Sequence, residues 1–313
     1  METNPSVDTP DRNGDELFTA RHMQNHDAVL IWRQDWAGTP SQGAVAEGVP
    51  GIPPHRLRGH YGTYRAVVVD VILSFVAQFV CLVPVLAVAG LLFVATGQHS
   101  GPGPAGRVAF AHWLTTPFVI LIALGVMDAS LVAVLWRRVR SERMPWRMLG
   151  LGLTLRVDAG RALLWGIGVG VVALVINVMV TMQMQRWGVD ETVQRRELID
   201  PLVHAPLWVA LSTAAWATIV SPVVEEIFFR GYIFRALAVR KGVLLAYVIS
   251  AGAFAAVHGL PTLFPALFVL GLFFAFAYRH SGNLLASITA HALNNGVVYG
   301  LALLPPYIHT LRH

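Results

Sequence analysis

The sequence predicts an all-α fold, a polytopic transmembrane helical bundle of about seven spans, or eight if one long span divides. Three observations carry that expectation. Of 313 residues, 55% are hydrophobic and only 13% charged. Mean hydropathy is +0.57. The apolar residues gather into runs longer than the core helices of a soluble domain require.

Residues 1–60 carry Pro, Gly, Asp and His with little apolar periodicity and no apolar stretch of signal-peptide type, so they read as a cytosolic, largely disordered tail. Within it, Ala28–Trp36 has enough aliphatic and tryptophan content to rest on a headgroup surface. Residues 61–313 read as the membrane domain. Seven runs are long and apolar enough to cross: Val67–Ala95, Trp113–Trp136, Leu163–Met184, Ala205–Ala236, Val243–Leu260, Thr262–Tyr278 and Leu284–Leu304. The fourth exceeds the ~20 residues that a crossing needs and holds Pro222, which predicts a tilt, a kink, a continuation past the membrane or a split. Gly259-Leu260-Pro261 is a short breaker, so the fifth and sixth spans should be antiparallel neighbours.

The formal charge of +5 does not point to nucleic acid, because the arginines lie beside apolar runs rather than on a basic soluble face. Their distribution sets topology instead. The loop Arg137–Arg161 holds seven Arg against Glu142 and Asp158, whereas Gln185–His204 holds three Arg against four acids. The first loop should therefore be cytoplasmic, with the N-terminus inside and, for seven spans, the C-terminus outside. Lys241 is the only lysine among 23 basic residues, which with the Ala, Gly, Val and Arg bias suggests a GC-rich genome and a bacterial plasma membrane. The single cysteine, Cys81, can support neither a disulfide framework nor a cysteine zinc site.

Ionisable residues inside a bilayer are costly and are expected to face the bundle interior. Asp70 and Asp128 stand apart in sequence and read first as structural or interfacial. The fourth span is different: Ser221-Pro-Val-Val-Glu225-Glu226-Ile-Phe-Phe-Arg230 sets two carboxylates and an arginine in an apolar run. Glu226 and Arg230 are four apart and can pair on one face, which leaves Glu225, rotated by about 100°, to look elsewhere. The fifth span carries Phe254-Ala-Ala-Val-His258, and the seventh carries His291-Ala-Leu-Asn294-Asn295. His291 and Asn295 share a face, while Asn294 points away. Counted from the cytoplasmic ends at about 1.5 Å per residue, Glu225 lies about 15 Å deep, His258 about 20 Å and His291 about 10 Å.

A carboxylate beside a histidine can hold and deprotonate a water. A second histidine with an amide side chain supplies donors for the oxyanion of a tetrahedral intermediate. That set makes a hydrolase of acyl bonds. The same Glu225, His258 and His291 could instead bind a divalent metal such as zinc, so the residues leave two options open: no cofactor, or a metal. No His-Glu-x-x-His, Gly-x-Ser-x-Gly or phosphate-cradling glycine loop is present.

The succession EEIFFR at 225–230, FAAVH at 254–258 and HALNN at 291–295 resembles the CAAX prenyl protease and bacteriocin-processing (CPBP, Abi) family over about residues 205–300. The resemblance implies an intramembrane endopeptidase, described in that family both as a glutamate protease and as a metalloprotease. Its substrate would be a membrane-anchored protein or peptide, met within the lipid bilayer. It further implies that Glu225 activates water with His258, that His291 and Asn295 stabilise the oxyanion, and that Glu226 and Arg230 support them from behind. The alternative is a non-catalytic protein of binding, transport, immunity or scaffold type that uses the same polar cluster to hold a ligand or proton.

Overall fold

The computed structural model describes residues 64–95, 109–110, 113, 116–142, 149, 159–189 and 199–310, with side chains as far as 304. The tail 1–60, with its Ala28–Trp36 segment, lies outside the described residues, as does most of the Arg-rich loop 143–158. Among the described residues all regular structure is helical. Seven main helices follow one another: α1 (Tyr64–Ala95), α2 (Pro117–Ser141), α3 (Ala159–Arg186), α4 (Leu207–Lys241), α5 (Val243–Val257), α6 (Phe264–Ser281) and α7 (Leu284–Thr310). Each coincides with one of the seven apolar runs.

Five of these helices, α1 to α4 and α6, are long and apolar enough to cross a membrane. Helix α5 is apolar but has only 15 residues. It stops because Gly259 takes φ 64°, a left-handed conformation that ends the helix just after His258. Helix α7 has the length, at 27 residues, but its histidine and paired asparagines dilute its apolar character.

Helix α1 shows what sort of solvent surrounds the bundle. It buries Val67, Asp70, Ser74 and Gln78, three or four residues apart, and exposes Val68, Ile72, Val76, Phe79 and Val83. Polar side chains face inward and aliphatic ones outward, the arrangement expected where lipid rather than water is the solvent. Asp70 does not stand apart. It is fully buried and paired with Arg137, it accepts from Arg138 Nε at 2.6 Å, and it accepts from Tyr232 Oη at 2.6 Å. One carboxylate thus clasps α1, α2 and α4.

Helix α4 neither splits nor stops at Pro222. It runs unbroken through two π-helical stretches, Trp216–Val220 and Ile227–Phe234, on either side of an α-helical Ser221–Glu226. Proline cannot donate to the carbonyl four residues back, and its ring crowds that carbonyl. The widened π turn directly before Pro222 accommodates both defects, and such turns frequently mark functional sites.

Helix α7 packs on α3 and α6, and α6 packs on α5. The α3–α7 approach depends on glycine: a Cβ at Gly166 would lie 2.6 Å from both the Ala286 carbonyl oxygen and Thr289 Cβ. Gly166→Ala should therefore destabilise the protein by about 1–3 kcal/mol through overpacking. Gly168→Ala, where a Cβ meets nothing within 4 Å, should leave stability unchanged. Thermal unfolding midpoints in one detergent check both, and equal midpoints for the two variants would contradict the close packing.

Candidate active site

Three helices bring the polar residues together, and each does so by its own local periodicity. On α4, Arg230 lies one turn beyond Glu226, and its Nη1 donates to Glu226 Oε1 at 2.7 Å, with both side chains fully buried. This pair therefore sits in the interior rather than at a wet interface. Arg230 Nη2 donates to the Gly271 carbonyl of α6 at 2.9 Å. The guanidinium also lies over the Phe254, Phe274 and Phe229 rings at 4.7, 5.4 and 5.9 Å. An aromatic box thus replaces part of the water that a buried cation has lost.

Helix α7 completes this cluster. His291 Nδ1 lies 3.0 Å from the same Glu226 Oε1, and its ring stacks on Phe274 at 4.6 Å. His291 is 3% exposed, so its Nδ1 carries the proton and donates it to the carboxylate. Glu226 is therefore the hub of the cluster, joining α4 to α7 as well as to Arg230.

Glu225, His258 and Asn295 are only half-buried, in contrast to this sealed core. Glu225 Oε2 has no hydrogen-bond partner among the described residues, and neither has Glu226 Oε2. The charges of Asp128, Glu226 and Arg230 and the His291 imidazole all act on Glu225. His258, at the end of α5, points Nδ1 at the Phe254 carbonyl one turn back, 2.7 Å away. A carbonyl only accepts, so Nδ1 holds the proton and Nε2 is left as a base. Asn295 donates one N–H to the Ala217 carbonyl at 2.8 Å, leaving its second N–H for another acceptor. Asn294 faces the other way and donates to the Gly170 and Ala290 carbonyls.

No hydrogen bond joins Glu225 to His258 in this arrangement, nor His291 to Asn295. The divalent-metal alternative is Glu225, His258 and His291. Among the described residues no three His, Cys, Asp or Glu side chains are gathered closely enough to hold a metal ion. His291 places Nδ1 on Glu226 and His258 places Nδ1 on Phe254, which leaves Nε2 of each ring available, as it is in a metal-ligating histidine.

Four contributors escaped the motif reading. Phe274 and Gly271 of α6 box the histidine and the guanidinium, and nothing in their sequence context marks them. The Ala217 carbonyl holds Asn295, a backbone role that side-chain motifs do not reveal. Asp128 of α2 did carry a signal, as an acid in an apolar run, but its partners Trp216 and Ser221 lie far along the chain.

Known proteins share sequence with the segment that carries these residues. Residues 206–297 match the family model described as type II CAAX prenyl endopeptidase Rce1-like, a stretch that contains Glu225, His258, His291 and Asn295. The membrane-embedded CAAX protease MroQ of Staphylococcus aureus (strain USA300) is 25% identical over 252 residues, covering 77% of this chain and 90% of that protein. No solved structure matches.

Proposed function

We propose, on the premise that this chain is a membrane protein of the Rce1-like type II CAAX prenyl endopeptidase family, that it is an intramembrane endopeptidase of membrane-associated proteins or peptides. The observation that carries the reading is the division of labour between neighbouring glutamates. Each keeps its Oε2 unpartnered, but Glu226 is fully buried and holds Arg230 and His291 through Oε1, while Glu225 is only half-buried. A buried polar atom without a partner calls for a reason, and binding a water is one that suits this site.

In the proposed mechanism Glu225 takes a proton from a water that also hydrogen-bonds to His258 Nε2, and the resulting hydroxide attacks the scissile carbonyl carbon. The carbonyl π pair moves onto oxygen, where His291 Nε2–H and the second N–H of Asn295 meet the developing charge. Collapse of the tetrahedral intermediate breaks the C–N bond, and the proton held by Glu225 passes to the leaving amine. Arg230 and Glu226 hold His291 in place and do not exchange atoms with the substrate. The proposal includes seven crossings with a cytoplasmic N-terminus, α5 and α7 joining the five clear spans.

The test is incubation of the detergent-purified chain with membrane-anchored peptides, with and without a prenyl group, and mass spectrometry for new termini. Cleavage is expected for at least one anchored class. Saturable binding of the peptides without any new terminus would replace the enzyme reading by a binding one. Asn295→Ala should lower kcat about 10²–10³-fold, the usual cost of losing one oxyanion donor, with KM little changed. A raised KM at unchanged kcat would assign Asn295 to substrate binding instead.

A further inference from the structure

Asp128 lies on α2, outside the segment 206–297 that carries the family match, and belongs to none of the motifs at 225–230, 254–258 and 291–295. Asp128 is 5% exposed. A single oxygen, Oδ2, accepts from Trp216 Nε1 at 2.8 Å and from Ser221 Oγ at 2.7 Å. Those two donors bracket the π-helical stretch Trp216–Val220, one at its first residue and one directly after its last. The indole lies against α2 one turn before the acid, where a Cβ on Gly125 would meet the Trp216 ring at 3.7 Å.

A π turn departs from the regular i to i−4 ladder and frees carbonyls that an α-helix would occupy. Here the Ala217 carbonyl, inside the bracketed stretch, accepts from Asn295 Nδ2 at 2.8 Å. Ser221 is one helical turn before Glu225, so the same clamp sets the rotation of the segment that presents the glutamate. Helix α7 also presses on this stretch, since a Cβ on Gly296 would meet Thr218 Cγ2 at 3.3 Å.

We infer that Asp128 is a positioning residue: bonded to Trp216 and Ser221, it staples the π turn of α4 so that the Ala217 carbonyl aims Asn295 and Ser221–Glu226 aims Glu225. It does not touch substrate. The catalytic part of this inference rests on the proposed endopeptidase reading, whereas the staple itself is a statement about the fold. Acceptor geometry, not charge, is what the staple uses, because either oxygen of a carboxylate or the oxygen of an amide can accept two such bonds.

The experiment compares full-length wild type, Asp128→Ala, Asp128→Asn, Asn295→Ala and the double variant Asp128→Ala/Asn295→Ala. Asp128→Ala should lower kcat about 10²-fold with KM within about twofold. Asp128→Asn should recover most of that, to within about threefold of wild type. The double variant should fall short of full additivity, because the part of the Asp128→Ala loss that runs through Asn295 is already gone. Full additivity in the double, or an Asp128→Asn as slow as Asp128→Ala, would overturn the inference. Hydrogen exchange of the peptide covering 216–221 gives a readout independent of turnover, and Asp128→Ala should exchange there about tenfold faster than wild type. If wild type cleaves nothing, the endopeptidase reading fails while the staple is still judged by exchange. Unchanged exchange in 216–221 would overturn the staple even if activity falls.

Discussion

Glu225→Gln should lower kcat for an anchored peptide about 10³-fold, within the usual range of about 10²–10⁴ for loss of a positioned general base. The amide keeps the shape and volume of the carboxylate but cannot take a proton from water. Glu225 Oε2 has no hydrogen bond to lose, so the substitution removes chemistry without removing a contact. The unfolding midpoint should stay level or rise, since a half-buried charge next to Asp128 and Glu226 is relieved. Steady-state kinetics and thermal unfolding on the same preparation check both halves. A variant that cleaves within about threefold of wild type would remove Glu225 from the role of base. One that loses activity together with its fold would make the glutamate structural.

Arg230→Met should produce the largest loss of stability, about 3–5 kcal/mol, because it removes one partner of a fully buried pair and leaves Glu226 charged in an apolar interior. The guanidinium also bonds to the Gly271 carbonyl and fills the box of Phe229, Phe254 and Phe274, which the thioether replaces in volume but not in hydrogen bonds. Activity should fall as well, since Glu226 shares its Oε1 between Arg230 and His291 and would reorient towards the histidine alone. The double variant Glu226→Gln/Arg230→Met should recover part of the stability, with no uncompensated charge left behind, yet no activity, because His291 loses its carboxylate partner. Unfolding midpoints at one scan rate and one detergent provide the comparison. A double variant no more stable than Arg230→Met would show that the cost lies in packing rather than in the orphaned charge.

Most of the fold was legible in the sequence because a membrane imposes a simple rule: twenty or so apolar residues make a helix with its backbone satisfied internally. All seven apolar runs are helices in the structure. The length and hydropathy criterion passes only five, and the two that it misses, α5 and α7, are the ones that carry His258 and His291. The functional residues themselves shorten or dilute the apolar signal, α5 by ending at His258 and α7 by its polar stripe. Pro222 predicted a disturbance in α4, and the π stretch directly before it is its form.

What the sequence by itself determined was every relation that lies along one helix: Glu226 with Arg230, Phe254 with His258, His291 beside Asn295, each four residues apart, about one helical turn. What only the tertiary structure decided was every relation between helices. His291 turned to Glu226 rather than to Glu225, Asn295 found a backbone carbonyl in a π turn, Asp128 clamped residues 88 and 93 positions away, and Phe274 came to stack on the histidine. The reason is physical. In lipid the outer face of a helix is as apolar as the inner one, so hydropathy says that a helix crosses but does not say how it is rotated. That rotation is set by small residues that allow close approach, such as Gly166 and Gly271, and by buried polar groups that must find partners, as Asp70 does across three helices.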